Sequence, residues 1–302
     1  MPSSLLDLRN RLEYALLRVL VWLVRLAPLD VAGNVSARIW QLVAPYGRRQ
    51  QRALDNIARA YPDMPLTERQ AIIHTMWGNL GRVMVETIQI DRIIADPARI
   101  DFINERLFKR YAGKMGPAVA MTLHMGNWEL TAWPMTKAGW HPAAVYRLVK
   151  NPYADRYLRE QRRTIYPAGL LARGADYEGD DSEGQRTARR IMDFVRQGGR
   201  LGIVSDLFDR HGIPAPFFGH DANSTMVPAM IARRVGSRIW LARCVRLGAA
   251  SRFKIEVKEL KVVRTANAGD DIRATTAAAQ RQFEAWIREA PDQWMWSNRR
   301  WS

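Results

Sequence analysis

Short apolar runs spaced by helical segments constrain the fold of this 302-residue chain more than any other feature. Pro117–Leu123, Ala143–Tyr146, Leu201–Val204 and Ser237–Val245 each have the length and character of a buried strand. Phe253–Val263 alternates in character and gives a fifth. Asn151–Arg163 reads as a basic helix. Arg186–Gln197 reads as another, stopped by Gly198-Gly199. Asp270–Ala290 closes the chain as a helix with Phe283, Trp286 and Ile287 on one face. Strands alternating with helices predict an α/β fold, a central mixed sheet flanked by helices.

The first hundred residues read as mostly helical. Arg48–Tyr61 has helical spacing and ends before Pro62. A second helix opens at Pro65-Leu66-Thr67-Glu68, with Thr67 as its N-cap, and runs to about Ile90. Asp96-Pro97 marks a break. The run Leu12–Leu29 is apolar but carries Glu13, Arg18 and Arg25 and shows no small-residue cleavage site, so it is not read as a signal peptide. It is short for a span, which needs about 20 apolar residues. Leu12, Leu16, Val19, Leu20, Leu23 and Leu26 share one helical face, and Arg18 and Arg25 share another. That pattern fits a membrane-associating helix lying in the interface, a short anchor with snorkelling arginines, or a core helix. The expected division is 1–30 as an N-terminal amphipathic segment and 31–302 as the α/β domain.

Charge narrows the partners. Lys and Arg number 46 against 30 acidic residues, a net charge of +16. An excess of this size points to an anionic partner: nucleic acid, an anionic membrane surface or an acidic protein. No nucleic-acid-binding motif accompanies it, so no nucleic-acid partner is expected, and a basic nucleic-acid-binding protein stays as the less favoured alternative. Hydrophobic residues make up 47% of the chain, which excludes a disordered chain and a multi-span membrane protein. The one cysteine, Cys244, cannot form an intrachain disulfide and lies in an apolar run, where a buried structural thiol is expected.

The segment Thr122-Leu123-His124-Met125-Gly126-Asn127-Trp128-Glu129-Leu130 carries the chemistry. A buried strand ends at His124, a glycine-containing turn follows, and a helix is predicted from about Trp128 with Asn127 as its cap. His124 then stands at the carboxyl end of a strand, where α/β sheets place their sites. Glu129, in the first helical turn, can return to the imidazole. A histidine can take the proton of an attacking hydroxyl, and a carboxylate can hold the ring in the right tautomer. No Ser or Cys nucleophile is required if an acceptor hydroxyl attacks directly. The same two side chains could also be metal ligands, but no further cluster with ligand spacing is visible and no metal is expected.

His124-Met125-Gly126-Asn127-Trp128-Glu129 resembles the HxxxxD/E motif of the lysophospholipid acyltransferase superfamily. More narrowly, it resembles the H-x-G-N-W-E form of the bacterial lipid A biosynthesis lauroyl/myristoyl acyltransferases. Further blocks resemble that family in the same order: Asn56–Pro62, Tyr146–Pro152, Ser205-Asp206 with Gly212–Gly219, and Pro291–Trp296 with Arg299-Arg300-Trp301. The resemblance spans nearly the whole chain. It implies an O-acyltransferase using acyl-acyl carrier protein to esterify a hydroxyl on a lipid A precursor, at the cytoplasmic face of the inner membrane. It implies His124 as base and Glu129 as its partner. It implies no cofactor beyond the phosphopantetheine arm of the donor. An acidic carrier protein, an anionic glycolipid and the membrane surface would all suit the net charge.

Arg147 is a candidate for binding a phosphate or sugar carboxylate of the acceptor, with a structural salt bridge as the alternative. Asp206 is a candidate for positioning Arg147 or His124, for meeting a lipid head group, or for capping a turn. Asn127 is a further substrate-binding candidate. Phe217-Phe218-Gly219 reads as a packed turn. Trp294, Trp296, Arg299 and Trp301 suit either a membrane interface or a tail packed on the domain. Leu207-Phe208 replace the Gln-Lys of relatives, and Asn298 or Ser297 stands where they carry His. These departures leave the acceptor and chain length open, and another glycolipid or a lysophospholipid would use the same two residues.

Overall fold

The computed structural model describes residues 3–111, 115–173 and 181–301. The amino-terminal part is helical: α1 (Ser3–Leu26), α2 (Leu29–Val43), α3 (Arg49–Ala60), α4 (Leu66–Ile88) and the short α5 (Ile90–Ile94). Then come β1 (Ile100–Ile103), α6 (Glu105–Tyr111), β2 (Ala118–Thr122), α7 (Trp133–Lys137), β3 (Ala143–Arg147), α8 (Pro152–Arg162), β4 (Leu170–Arg173), α9 (Asp181–Arg196) and β5 (Arg200–Val204). A hairpin of β6 (Ile213–Phe217) and β7 (His220–Ser224) follows, and α10 (Val227–Val235), β8 (Arg238–Arg246), β9 (Phe253–Leu260) and α11 (Ala268–Glu289) close the chain.

The sheet has seven strands in the order β1-β9-β8-β2-β5-β3-β4. Every pair is parallel except β8 with β9, so the sheet is mixed, as the sequence predicts. The four apolar runs become the parallel strands β2, β3, β5 and β8. β2 is buried along its length because both sheet faces are covered. Val119, Met121 and Leu123 pack on one side with Trp77, Ile231, Phe283 and Trp286. Ala118 and Ala120 face the other side, with Leu130, Met135, Tyr166 and Trp240. From β2 the chain passes to β3 on one side and later returns to β8 on the other. The carboxyl end of β2 is therefore the point where the connections diverge, the usual crevice of an open α/β sheet.

Some local expectations need correction. Thr67 lies inside α4, which is preceded by Pro65 and has no side-chain cap. Trp128–Ala132 is a 3-10 helix, and the Asn127 side chain does not cap it. Asn151 does cap α8, accepting from the amides of Tyr153 and Ala154. β1, β4 and the β6–β7 hairpin were not expected.

The amino-terminal helices leave much apolar surface uncovered. On α1, Leu12, Leu16, Leu20, Trp22, Leu23 and Leu26 are exposed, and on α2 Val31, Val35, Ile39 and Leu42 are exposed at helical spacing. The opposite face of α2 packs on α4 so closely that a Cβ on Gly81 would lie 2.7 Å from the Ser36 carbonyl oxygen. α1 is tied to the domain by Arg25, which meets Asp91 at 2.7 Å, and by Tyr14 stacked on Tyr153 of α8. Among the described residues no helix is long and apolar enough to cross a membrane.

Candidate active site

His124 follows β2 directly. Its main-chain N–H donates to Asp206 Oδ2 at 2.8 Å, and its ring Nδ1 lies 2.8 Å from Asp206 Oδ1. An ionised carboxylate only accepts, so Nδ1 carries the proton, and in the neutral ring Nε2 keeps its lone pair. The imidazole is 16% exposed while the Asp206 side chain is 1% exposed. Asp206 also accepts from the Trp294 indole N–H at 2.7 Å. Burial pushes this carboxyl upward, but the charge His124 carries when protonated, its ring and main-chain hydrogen bonds and the indole outweigh burial and hold it below the usual carboxylate range. The Trp128 ring meets the imidazole edge-on, 4.9 Å between centroids.

The turn after His124 has a specific requirement. Gly126 has a φ of 55°, and a Cβ there would stand 2.1 Å from the Cys244 carbonyl oxygen. Only glycine allows this loop to lie against β8. The carboxyl-terminal segment clamps the turn from the other side. Met125 forms a β-bridge with Trp294, the Gly126 N–H donates to the Gln293 carbonyl, and the Met295 N–H donates to the His124 carbonyl.

The sequence expectation pairs Glu129 with the imidazole; the structure gives the imidazole a different partner. Glu129 sits in the 3-10 helix, and its carboxylate meets Arg162 of α8 at 2.6 Å. Both line a cavity of about 60 Å³, with Ala120, Ala144, Leu170 and Gly202 among its sheet-side walls and Met135 and Tyr166 among the other lining residues. Among the described residues, the Thr122 hydroxyl and Arg162 Nε in this cavity wall have no protein partner.

Asn127 is corrected as well. It is fully buried, and its amide donates to Glu86 Oε2 at 3.0 Å. Glu86 in turn pairs with Arg246 at 2.7 Å and accepts from Ser251. Asn127 therefore locks the turn onto α4 and β8. Arg147 ends β3 at the same sheet edge as His124, exposed and without a protein partner among the described residues. Among the positions open to Asp206, the structure realises the one beside His124. Cys244 is fully buried, which pushes its thiol up to about 12. Trp294, Trp296 and Trp301 are buried in the domain, so the tail packs inward and makes no aromatic belt.

Sequence reasoning missed Trp294 as a donor to Asp206, Arg162 as the partner of Glu129, and the buried Glu86–Arg246 pair. No local spacing signals these, because each joins distant segments. The separated motif blocks nonetheless converge here. Asn56 of α3 donates to the Trp296 and Asn298 carbonyls, Trp294 reaches Asp206, and Asp206 holds His124. Among the described residues, no three His, Cys, Asp or Glu side chains gather as metal ligands.

No curated protein matches the chain. The family model for bacterial lipid A biosynthesis acyltransferases matches residues 4–302, essentially its whole length, and the chain belongs to that family.

Proposed function

We propose that this lipid A biosynthesis acyltransferase moves a fatty acyl chain from acyl-acyl carrier protein to a hydroxyl of a lipid A precursor, with His124 as general base. The observation that carries the reading is the imidazole held through Nδ1 by buried Asp206, leaving the Nε2 lone pair at the carboxyl edge of the sheet. The acceptor hydroxyl attacks the thioester carbonyl as Nε2 takes its proton. Asp206 stabilises the imidazolium that forms. The C–S bond then breaks, the new ester C–O bond remains, and the imidazolium returns the proton to the departing thiolate.

The cavity behind Trp128 supports a place for the donor's acyl tail. Ala120, Ala144, Gly202 and Ala242 contribute small side chains to its sheet side, and Glu129 and Arg162 line it as an ion pair. At about 60 Å³ it is a seed that must widen to admit a chain. Glu129 acts here by anchoring Arg162. Arg147, unpaired among the described residues at the same edge, suits an acceptor phosphate. The exposed apolar faces of α1 and α2 support association with the cytoplasmic face of the inner membrane, and the net charge of +16 supports attraction to anionic lipid, acceptor and acidic carrier protein.

The test is mass spectrometry of lipid A from strains with and without the protein, alongside purified enzyme supplied with acyl-acyl carrier protein. Loss of one acyl chain, restored by wild type and not by His124→Ala, is expected. Unchanged lipid A, or a folded His124→Ala protein turning over at the wild-type rate, overturns the reading.

A further inference from the structure

Behind the carboxylate lies a second buried charge. Arg300 is 0% exposed, and its hydrogen bonds among the described residues all go to neutral acceptors: Ser224 Oγ at 2.8 Å, Gln280 Oε1 at 3.0 Å and the Asn223 carbonyl at 3.3 Å. Its guanidinium covers the Phe217 ring at 4.3 Å. A guanidinium so far from water is costly without a counter-charge. Asp206 has the mirror-image problem, because all its donors are uncharged while His124 is neutral. Gln280 joins the two: its carbonyl accepts from Arg300 and its amide donates to the Ser205 carbonyl, one peptide from Asp206, at 2.9 Å.

We propose that Arg300 is a positioning residue whose buried charge balances Asp206 through this hydrogen-bonded core, keeping the carboxylate ionised while His124 is neutral and ready to accept a proton. The inference rests on the reading of His124 as base. Burial lowers the Arg300 guanidinium to about 10, and the negative charge of Asp206 opposes that fall. The other charges nearby are accounted for. Glu129 pairs with Arg162, Glu284 of α11 with Arg288, and Arg299 lies over Phe208. On the loop after Asp206, Asp209 accepts from the His211 N–H, and Arg210 is exposed. From α3, Arg59 lies over the Trp301 ring.

The test compares Arg300→Gln with Arg300→Lys by two readouts: the pH profile of kcat/KM, and the imidazole titration of His124 followed by NMR and assigned with His124→Asn. Removing the cation removes its repulsion of an imidazolium. In Arg300→Gln both the acid limb and the ring titration are expected to move to higher pH, by about 0.5 unit or more, and Arg300→Lys should recover most of the shift. A folded Arg300→Gln protein with both at their wild-type positions overturns the proposal. If Arg300→Gln does not fold, Asp206→Asn/Arg300→Gln decides by thermal melting. A double variant more stable than Arg300→Gln supports charge balance, and one no more stable overturns it. The NMR titration needs no substrate. A shifted ring titration in a protein that transfers no acyl group would remove the acyltransfer reading and leave the electrostatic inference standing.

Discussion

At the scale of single residues, Asp206 carries the sharpest consequences. Asp206→Asn keeps the shape of the side chain and lets an amide present the wrong group to Nδ1. Turnover is expected to fall by about 10²–10⁴-fold, measured as kcat with acyl-acyl carrier protein, and near wild-type turnover would remove Asp206 from the mechanism. Glu129→Ala should lower activity by about 10²-fold for another reason, because it leaves the Arg162 guanidinium unpaired in the cavity wall. Asp206 also ties stability to pH. Its carboxyl is held below the ordinary range in the fold. Its stabilisation is therefore complete above the unfolded value of about 3.9 and is lost as pH falls through the lower folded value. Asp30, Asp91 and Asp271 are also held low and contribute to both proteins, so thermal melts below about pH 4 should show a steeper loss in wild type than in Asp206→Asn. Gly126→Ala combines a positive φ with a Cβ driven into the Cys244 carbonyl. A loss of at least about 2 kcal/mol in denaturant unfolding is expected.

At the scale of elements, the sequence was informative where pattern is local. The apolar runs now seen as β2, β3, β5 and β8 announced themselves by length and by apolar character on both faces. The helices now seen as α3, α4, α8, α9 and α11 announced themselves by spacing. β1 and β4 escaped because four-residue edge strands carry too little periodicity to stand out. The β6–β7 hairpin escaped because Pro214 and Pro216 read as loop. His124 was legible as a strand-end residue before a glycine turn. Its partner was not, since Asp206 lies 82 residues away and meets it only when β5 is laid beside β2. The imidazole was matched with the nearest downstream carboxylate, and the 3-10 helix turns that carboxylate elsewhere. β5 also offers a test of the cavity. A Cβ at Gly202 meets only ordinary contacts, the nearest at 3.6 Å, so a small side chain fits and a larger one fills the space. Gly202→Leu should shift the product toward shorter acyl chains, read by mass spectrometry of the esterified acceptor. An unchanged chain distribution in an active variant would rule out this cavity as the acyl site.

At the scale of the whole molecule, the uncovered apolar faces of α1 and α2 sit on one basic protein. Deleting residues up to about Pro28 would release the protein from membranes if α1 alone held it. The stripe on α2 leads to a more specific expectation: the shortened protein floats with anionic vesicles less than wild type but still measurably. Adding Val35→Asp and Ile39→Asp should then abolish flotation. Complete release on deleting α1 alone would confine the membrane contact to that helix. Because the net charge is +16, wild-type binding should weaken as salt rises.

The clamp formed by residues 293–296 also has a consequence in time. A nascent chain that has already emerged from the ribosome through α11 possesses the imidazole, the aspartate, the complete sheet and the helix that covers it. It still lacks the indole N–H on Asp206 and the strand-like brace along Met125. The enzyme therefore becomes competent only after this late segment is synthesised and seated, so translation can fold the scaffold before the site is armed.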